Sequence, residues 1–212
     1  MTPTDETRTA YDAVVTTYAS LLDDDLERHP DAAHDRAVLR LFAELAPRHG
    51  RIGDLGCGPG RLTPYLASLG LDVFGMDLSP GMVSVARSAH PSLEFVVGDL
   101  RDLPLATASL AGALAWYSLI HLPPGERRTA WAELARVIRP GGVLLTATQV
   151  GEDVPRHRAE AYGHAVTLTS YYPAVEVVSA ELVDAGFMID TTLVRAPRRY
   201  ETTPQAYLLA HR

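Results

Sequence analysis

The loop Asp54-Leu55-Gly56-Cys57-Gly58-Pro59-Gly60-Arg61-Leu62 constrains the fold more than any other stretch of the chain. The short apolar lead-in at residues 51–55 reads as a buried parallel strand. Residues 60–69 read as a helix, so the glycines fall at a strand-to-helix turn. Glycine there permits positive φ and lets a ligand approach the main chain where a Cβ would clash. The next strand ends at Asp77, about twenty residues on, where α/β nucleotide folds hold ribose hydroxyls. The pairing predicts an adenosine-containing ligand.

Beyond residue 51 the pattern alternates. Strands are expected at 51–55, 71–76, 93–97, 110–116 and 143–149, and helices at 60–69, 80–89 and 124–138. Pro59, Pro80 and Pro124 fall near helix starts, where a missing N–H costs little. Such alternation demands a parallel sheet with helices on both faces. Ahead of it, residues 11–26 and 33–46 carry helical apolar faces. After residue 149 an irregular stretch is expected, then a helix at 174–185 and strands near 187–194 and 205–211.

The 212 residues suit one domain, 1–212. It divides into N-terminal helices (1–48), a cofactor-binding core (51–149) and a substrate-side segment with the last strands (150–212). With 47% apolar and 21% charged residues, the composition is that of an ordinary globular protein and argues against disorder. A net charge of −7 has the wrong sign for binding nucleic acid through its phosphates, and no nucleic-acid partner is expected. No apolar run approaches the length of a membrane span, and residues 1–8 lack the order of a secretion signal. A cytoplasmic protein is expected, monomeric or homodimeric.

All basic side chains besides histidine are arginine, which removes any lysine base, Schiff-base lysine or P-loop lysine. The chain also lacks asparagine, which excludes the Asn-Pro-Pro-aromatic motif of amino-methylating DNA enzymes. Cys57 is the single cysteine, so no disulfide forms within the chain.

The third glycine decides which adenosine ligand is meant. A dinucleotide fingerprint places glycine at position 61, but Arg61 stands there and the third glycine is Gly60. This G-x-G-x-G loop resembles motif I of the class I S-adenosylmethionine-dependent methyltransferases. Met76-Asp77-Leu78-Ser79 resembles that family's ribose motif and Gly98-Asp99-Leu100 its adenine motif. The resemblance implies a Rossmann-like, seven-stranded, mostly parallel sheet in the order 3-2-1-4-5-7-6. Strand 7 would be antiparallel, and an N-terminal helical cap would cover the site.

It also implies roles. S-adenosyl-L-methionine would be the cofactor, held by Gly56, Cys57, Gly58 and Gly60 along its amino-acid portion, with Asp54 near its ammonium. Asp77 would take the ribose hydroxyls, Asp99 and Leu100 the adenine edge, and Leu78 and Met82 the adenine faces. Tyr18, in a segment with Tyr11 similar to the family's N-terminal tyrosine pattern, and Trp116 would complete the cofactor site. Tyr117 and His121 follow strand 4, where such enzymes line the methyl-transfer site. His121 is a candidate general base for a hydroxyl or amine, or else a buttress for its loop. A carboxylate or a readily ionised thiol needs no base.

No metal is expected: His157 and His164 lack the spacing of a helical ligand pair and read as surface loop residues. The resulting expectation is methyl transfer to a small molecule, with O, N or C as acceptor atom, in a setting such as specialised metabolism. A cofactor-binding protein without methyl transfer, a nucleic-acid methyltransferase and a nicotinamide oxidoreductase remain as alternatives.

Overall fold

The computed structural model describes residues 2–21, 32–198 and 201–212. Its elements run α1 (Pro3–Leu21), α2 (Ala33–Leu45), β1 (Ile52–Leu55), α3 (Thr63–Ser68), β2 (Val73–Asp77), α4 (Pro80–Ala89), β3 (Phe95–Val97) and β4 (Leu110–Trp116). Then follow α5 (Pro124–Val137), β5 (Ile138–Gln149), β6 (Arg156–Ala161), β7 (His164–Ser170), α6 (Val175–Asp184), β8 (Met188–Arg195) and β9 (Gln205–His211).

Seven strands form one sheet in the order β3-β2-β1-β4-β5-β9-β8. The first five run parallel, and β9 is antiparallel to both neighbours. Leaving out the separate hairpin, this is the expected order. β1 and β4 are buried along their whole length, which only a strand covered on both faces can be. One apolar cluster lies under α5 and α6 around Trp131, Leu134 and Leu182; another lies under α2 and α3 around Phe42 and Leu66. Helix α4 starts cleanly because Pro80 occupies its first turn and the Ser79 hydroxyl accepts the Met82 N–H.

Register brings the site together. Leu55 lies beside Met76, so the loop after β1 meets Asp77, and Asp54 beside Leu114 sets the loop after β4 against the glycines. At the same edge Gln149 pairs with Gln205. Ligands bind outside such carboxyl ends in open α/β sheets.

Three expectations need correction. Helix α1 begins at Pro3, earlier than the apolar face at 11–26 implied, and 22–26 lie outside the described residues. β5 begins at Ile138, directly from α5, rather than at 143. The stretch after 149 is no irregular loop but the antiparallel hairpin β6–β7. Its turn, Tyr162-Gly163, has φ of 54° and 76°, the positive pair that a tight hairpin turn needs. His157 and His164 therefore stand on strands. His164 Nε2 lies 2.8 Å from the Thr17 hydroxyl, and Ala161 and Leu168 pack on Ala10, so the hairpin is seated on α1. Among the described residues no helix is long and apolar enough to cross a membrane.

Candidate active site

A cavity of about 510 Å³ opens at the carboxyl edge of the sheet, roofed by α1 and the β6–β7 hairpin. This is ample for a small-molecule ligand. Thr4, Thr7, Arg8, Tyr11 and Tyr18 reach it from one face of α1, at helical spacing. Asp12, on the same helix, holds the roof in place: one carboxylate oxygen accepts from the Ser79 hydroxyl and from the Gly81 N–H (3.0 Å).

The glycine loop forms one wall, and its hydrogen bonds are turned inward. Gly56 and Cys57 both donate to the Met76 carbonyl (2.7 and 3.0 Å), Gly60 donates to Cys57 O, and Gly58 donates to Asp77 Oδ2 (2.8 Å). These N–H groups are thus spent on the protein itself. A phosphate site is built the other way, with free N–H groups facing the ligand. The loop therefore offers a close approach without a phosphate cradle. Gly58, at φ +56°, has open space where a Cβ would stand, its nearest neighbour being the Tyr18 ring at 3.9 Å.

Asp77 sits at the mouth with Oδ1 accepting the Ser79 N–H (2.9 Å) as well. Burial raises its pKa, against those N–H bonds. Each carboxylate oxygen keeps a second lone pair for a ligand. Leu78, Met82, Gly98, Asp99 and Leu100 continue this wall. Asp99 also accepts the Arg101 N–H (2.9 Å) and pairs with the Arg101 guanidinium (2.6 Å), which in turn reaches Glu126. Burial alone would raise the Asp99 pKa, but the Arg101 bonds hold it below the usual value.

Three expected cofactor residues lie behind the wall. Asp54 is buried and accepts the Thr63 hydroxyl (2.7 Å); burial pushes its pKa up to about 7. Cys57 packs with Val83, Ala86 and Phe95, and burial pushes its thiol well up. Gly60 is needed by the same cluster, because a Cβ there would come within 3.0–3.1 Å of Ala86 and Phe95. Asp54 belongs to β1, which is buried along its whole length, and Cys57 and Gly60 turn toward Ala86 and Phe95 while Gly56 and Gly58 line the cavity.

The other half of the cavity is lined by Trp116, Tyr117, Ser118, His121, Gln149, Arg158, Tyr162, Tyr172 and Gln205. Trp116 and Tyr117 meet edge to face, and Tyr117 (φ 55°) joins a buried network around Tyr207. There Tyr207 donates to Asp35 (2.6 Å) and accepts from Arg195, while Arg195 pairs with Glu201 and Arg198 with Asp35. The Ser118 hydroxyl and Gln149 Oε1 are buried and have no hydrogen-bond partner among the described residues. Buried polar atoms left in this way ask for a ligand or water.

His121 is fixed at both nitrogens. Nδ1 lies 2.7 Å from the Thr169 carbonyl and so carries the proton; Nε2, 2.8 Å from the Tyr11 hydroxyl, accepts. Burial pushes its pKa down to about 4, keeping the ring neutral. The buttress role expected as one option is thus realised through Thr169. Tyr18 stands edge-on between Tyr11 and Tyr162, and burial pushes its phenol up to about 12.

The sequence does not single out Arg61, Arg158, Tyr162 or Gln149 as site residues; Ser118 and Tyr172 fall in the segments after β4 and before residue 173 that the family resemblance places near the substrate. Arg61 was legible only as a glycine's replacement, yet it lines the glycine end of the cavity and makes no ion pair among the described residues. The signal for the hairpin residues was the Tyr162-Gly163 turn.

Comparison with known proteins gives this geometry a family. A methyltransferase-domain model matches residues 52–142. The O-methyltransferase rstn1 of Aspergillus nomiae is 30% identical over 177 residues, 78% of each chain. The O-methyltransferase cnsE of Penicillium expansum is 37% identical over 126 residues, 56% of this chain and 45% of that one. A malonyl-[acyl-carrier protein] O-methyltransferase of Enterobacter lignolyticus is 36% identical over 124 residues, 58% of this chain and 49% of that one. The chain thus spans about half the length of these two curated relatives. In fold it resembles the magnesium protoporphyrin IX methyltransferase of Synechocystis PCC 6803, solved with its methyl donor bound. There the TM-score is 0.74 at 20% identity, over 100% of this chain and 98% of that one. With the glycine loop, the carboxylate at the end of β2 and the seven-stranded order all in place, the chain belongs to the class I S-adenosylmethionine-dependent methyltransferases.

Proposed function

We propose that the protein transfers a methyl group from S-adenosyl-L-methionine to an oxygen of a small-molecule acceptor. The observation that carries this reading is the inward-turned glycine loop beside Asp77, which suits a nucleoside without phosphates. The residues fit that cofactor. Gly58 leaves its main chain open, Asp77 has lone pairs for both ribose hydroxyls, and Leu78, Met82 and Leu100 offer apolar contact to a purine. Arg61, at the glycine end, matches the carboxylate of the methionyl tail.

Bound there, the cofactor supplies an already activated methyl group. The protein's contribution is alignment and a dry pocket. Tyr11, Tyr18 and Tyr162 roof the transfer site, while Trp116, Tyr117 and Ser118 form its floor. The choice of oxygen rests on the O-methyltransferase relatives. A buried, unpaired Cys57 suits a reducing compartment such as the cytoplasm.

The test is direct. Purified protein incubated with methyl-labelled S-adenosylmethionine and pooled small-molecule extract should release S-adenosylhomocysteine and label an extractable organic product. Cofactor binding without label transfer to any fraction would leave a binding protein instead. Label recovered in nucleic acid would replace the small-molecule reading.

A further inference from the structure

The acceptor half of the cavity has an uneven charge. Arg8 pairs with Asp5, Arg195 with Glu201 and Arg198 with Asp35. Arg158 is different: among the described residues its side chain makes one hydrogen bond, to the Tyr172 hydroxyl (3.3 Å), and no ion pair. Its side chain is exposed, and the hairpin sets it on the face that lines the open cavity. Arg158 sits opposite Leu168, and directly opposed residues share a face of the ladder; Leu168 is buried against α1. A register shift between Arg158 and Glu160 then brings the buried Ala161 onto that same face. Bulges of this kind re-aim side chains next to active sites. The positive charge is felt at Tyr11, Tyr162 and His121, around the transfer site.

Among the described residues, the same half holds no group ready to take a proton. Both nitrogens of His121 are engaged, and burial holds the ring neutral. Glu201 and Asp35 are tied to arginines, and Tyr11 and Tyr117 are phenols pushed upward by burial. A hydroxyl or amine acceptor would have to shed a proton into this surface. An acceptor that arrives ionised needs none.

Resting on the methyltransferase reading, we infer that the acceptor is a carboxylate, bound by Arg158 beside Tyr172 and converted to its methyl ester without a general base. A carboxylate oxygen forms the new bond to the methyl carbon as the carbon–sulfur bond breaks, and that electron pair stays on sulfur. The anion and the sulfonium become a neutral ester and a neutral thioether. No proton is taken up or released.

The experiment uses matched probes on the full chain: octanoate, phenylacetate and cinnamate against octanol, phenylacetamide and cinnamyl alcohol. S-adenosylhomocysteine release and calorimetric binding in the presence of S-adenosylhomocysteine are both read. The carboxylates should outperform their neutral partners by about tenfold or more in turnover or affinity, with no proton release in weakly buffered dye assays. Arg158→Gln should raise the carboxylate KM about 10- to 100-fold, the scale of a charged hydrogen bond, with cofactor affinity unchanged. Arg158→Lys should recover part of it. Carboxylates no better than their neutral partners, or an Arg158→Gln variant with unchanged KM, would overturn the assignment. So would turnover of an alcohol lost in Tyr11→Phe, which would point to proton relay through His121. In each of these cases, intact cofactor binding leaves the methyltransferase reading standing; loss of cofactor binding in the parent protein sinks both.

Discussion

The Tyr11 hydroxyl donates to His121 Nε2 at 2.8 Å, joining two residues 110 positions apart. This bond, with the His121–Thr169 contact, stitches α1, the loop after β4 and the β6–β7 hairpin into one roof. Tyr11→Phe leaves a buried ring nitrogen unpaired, which costs about 1–3 kcal/mol. Urea unfolding should show the midpoint fall with the slope retained. An unchanged midpoint would mean that the roof is held elsewhere.

His121 also sets a pH dependence of stability. Its ordinary pKa of 6.5 falls to about 4 on burial. The unfolded chain takes up this proton at the higher value and the folded protein at the lower. The neutral ring's contribution is therefore complete above the unfolded pKa and lost as pH falls through the window to about 4. At about 1.4 kcal/mol per pH unit, the whole loss is on the order of 3 kcal/mol. A His121→Gln variant lacks this group, so its stability gap from the parent should narrow as pH drops from neutral towards the bottom of that window. A gap constant across that range would contradict the burial.

Below the sheet, Arg127 is buried with Glu181 (2.7 Å) and also pairs with Asp153 (2.8 Å), while Trp131 Nε1 donates to Glu181 (3.0 Å). Removing only the arginine strands a buried carboxylate. Arg127→Met should cost about 3–5 kcal/mol, and Arg127→Met with Glu181→Met much less. Thermal unfolding of the single and double variants checks this. Equal losses in both would show that packing, not charge, dominates.

These relationships separate what the sequence carries locally from what it does not. The strand and helix periods, the prolines at helix starts and the acid after β2 are short-range signals that carry the α/β alternation and the loop beside Asp77; the sheet order and the wall from Leu78 to Leu100 follow only from the resemblance of the three motifs to the family. The hairpin is not legible in the sequence because Arg156, His157, Arg158, Ala159 and Glu160 are all exposed, so no apolar alternation marks β6. Arg158's role depends on a bulge that only cross-strand pairing reveals. Likewise, nothing near His121 in sequence announces Tyr11 or Thr169. Motif position does not say which residues of the turn face the ligand: Asp54 is buried within β1 and Gly60 packs on Ala86 and Phe95, while Gly56 and Gly58 line the cavity.

Gly58 offers a clean separation of binding from folding. Its φ of +56° costs a substituted alanine about 1–2 kcal/mol, and no protein atom crowds the new methyl. Gly58→Ala should therefore fold with a modest loss of stability yet bind S-adenosylhomocysteine at least about tenfold more weakly, since the Cβ stands in the ligand's space. Fluorescence titration beside a thermal melt reads both. Affinity equal to the parent's would place the ligand away from this turn.

The most direct measurement of the central claim is calorimetric titration of the parent protein and Asp77→Ala with S-adenosylhomocysteine, NAD and ATP. The parent should bind S-adenosylhomocysteine saturably and the phosphate-bearing ligands far more weakly, because the loop's N–H groups are already taken by Met76, Cys57 and Asp77. Asp77→Ala should lose about 1.5–3 kcal/mol of that affinity, the worth of hydrogen bonds to a charged acceptor. NAD or ATP bound as tightly as S-adenosylhomocysteine, or an Asp77→Ala variant with undiminished affinity, would contradict the account.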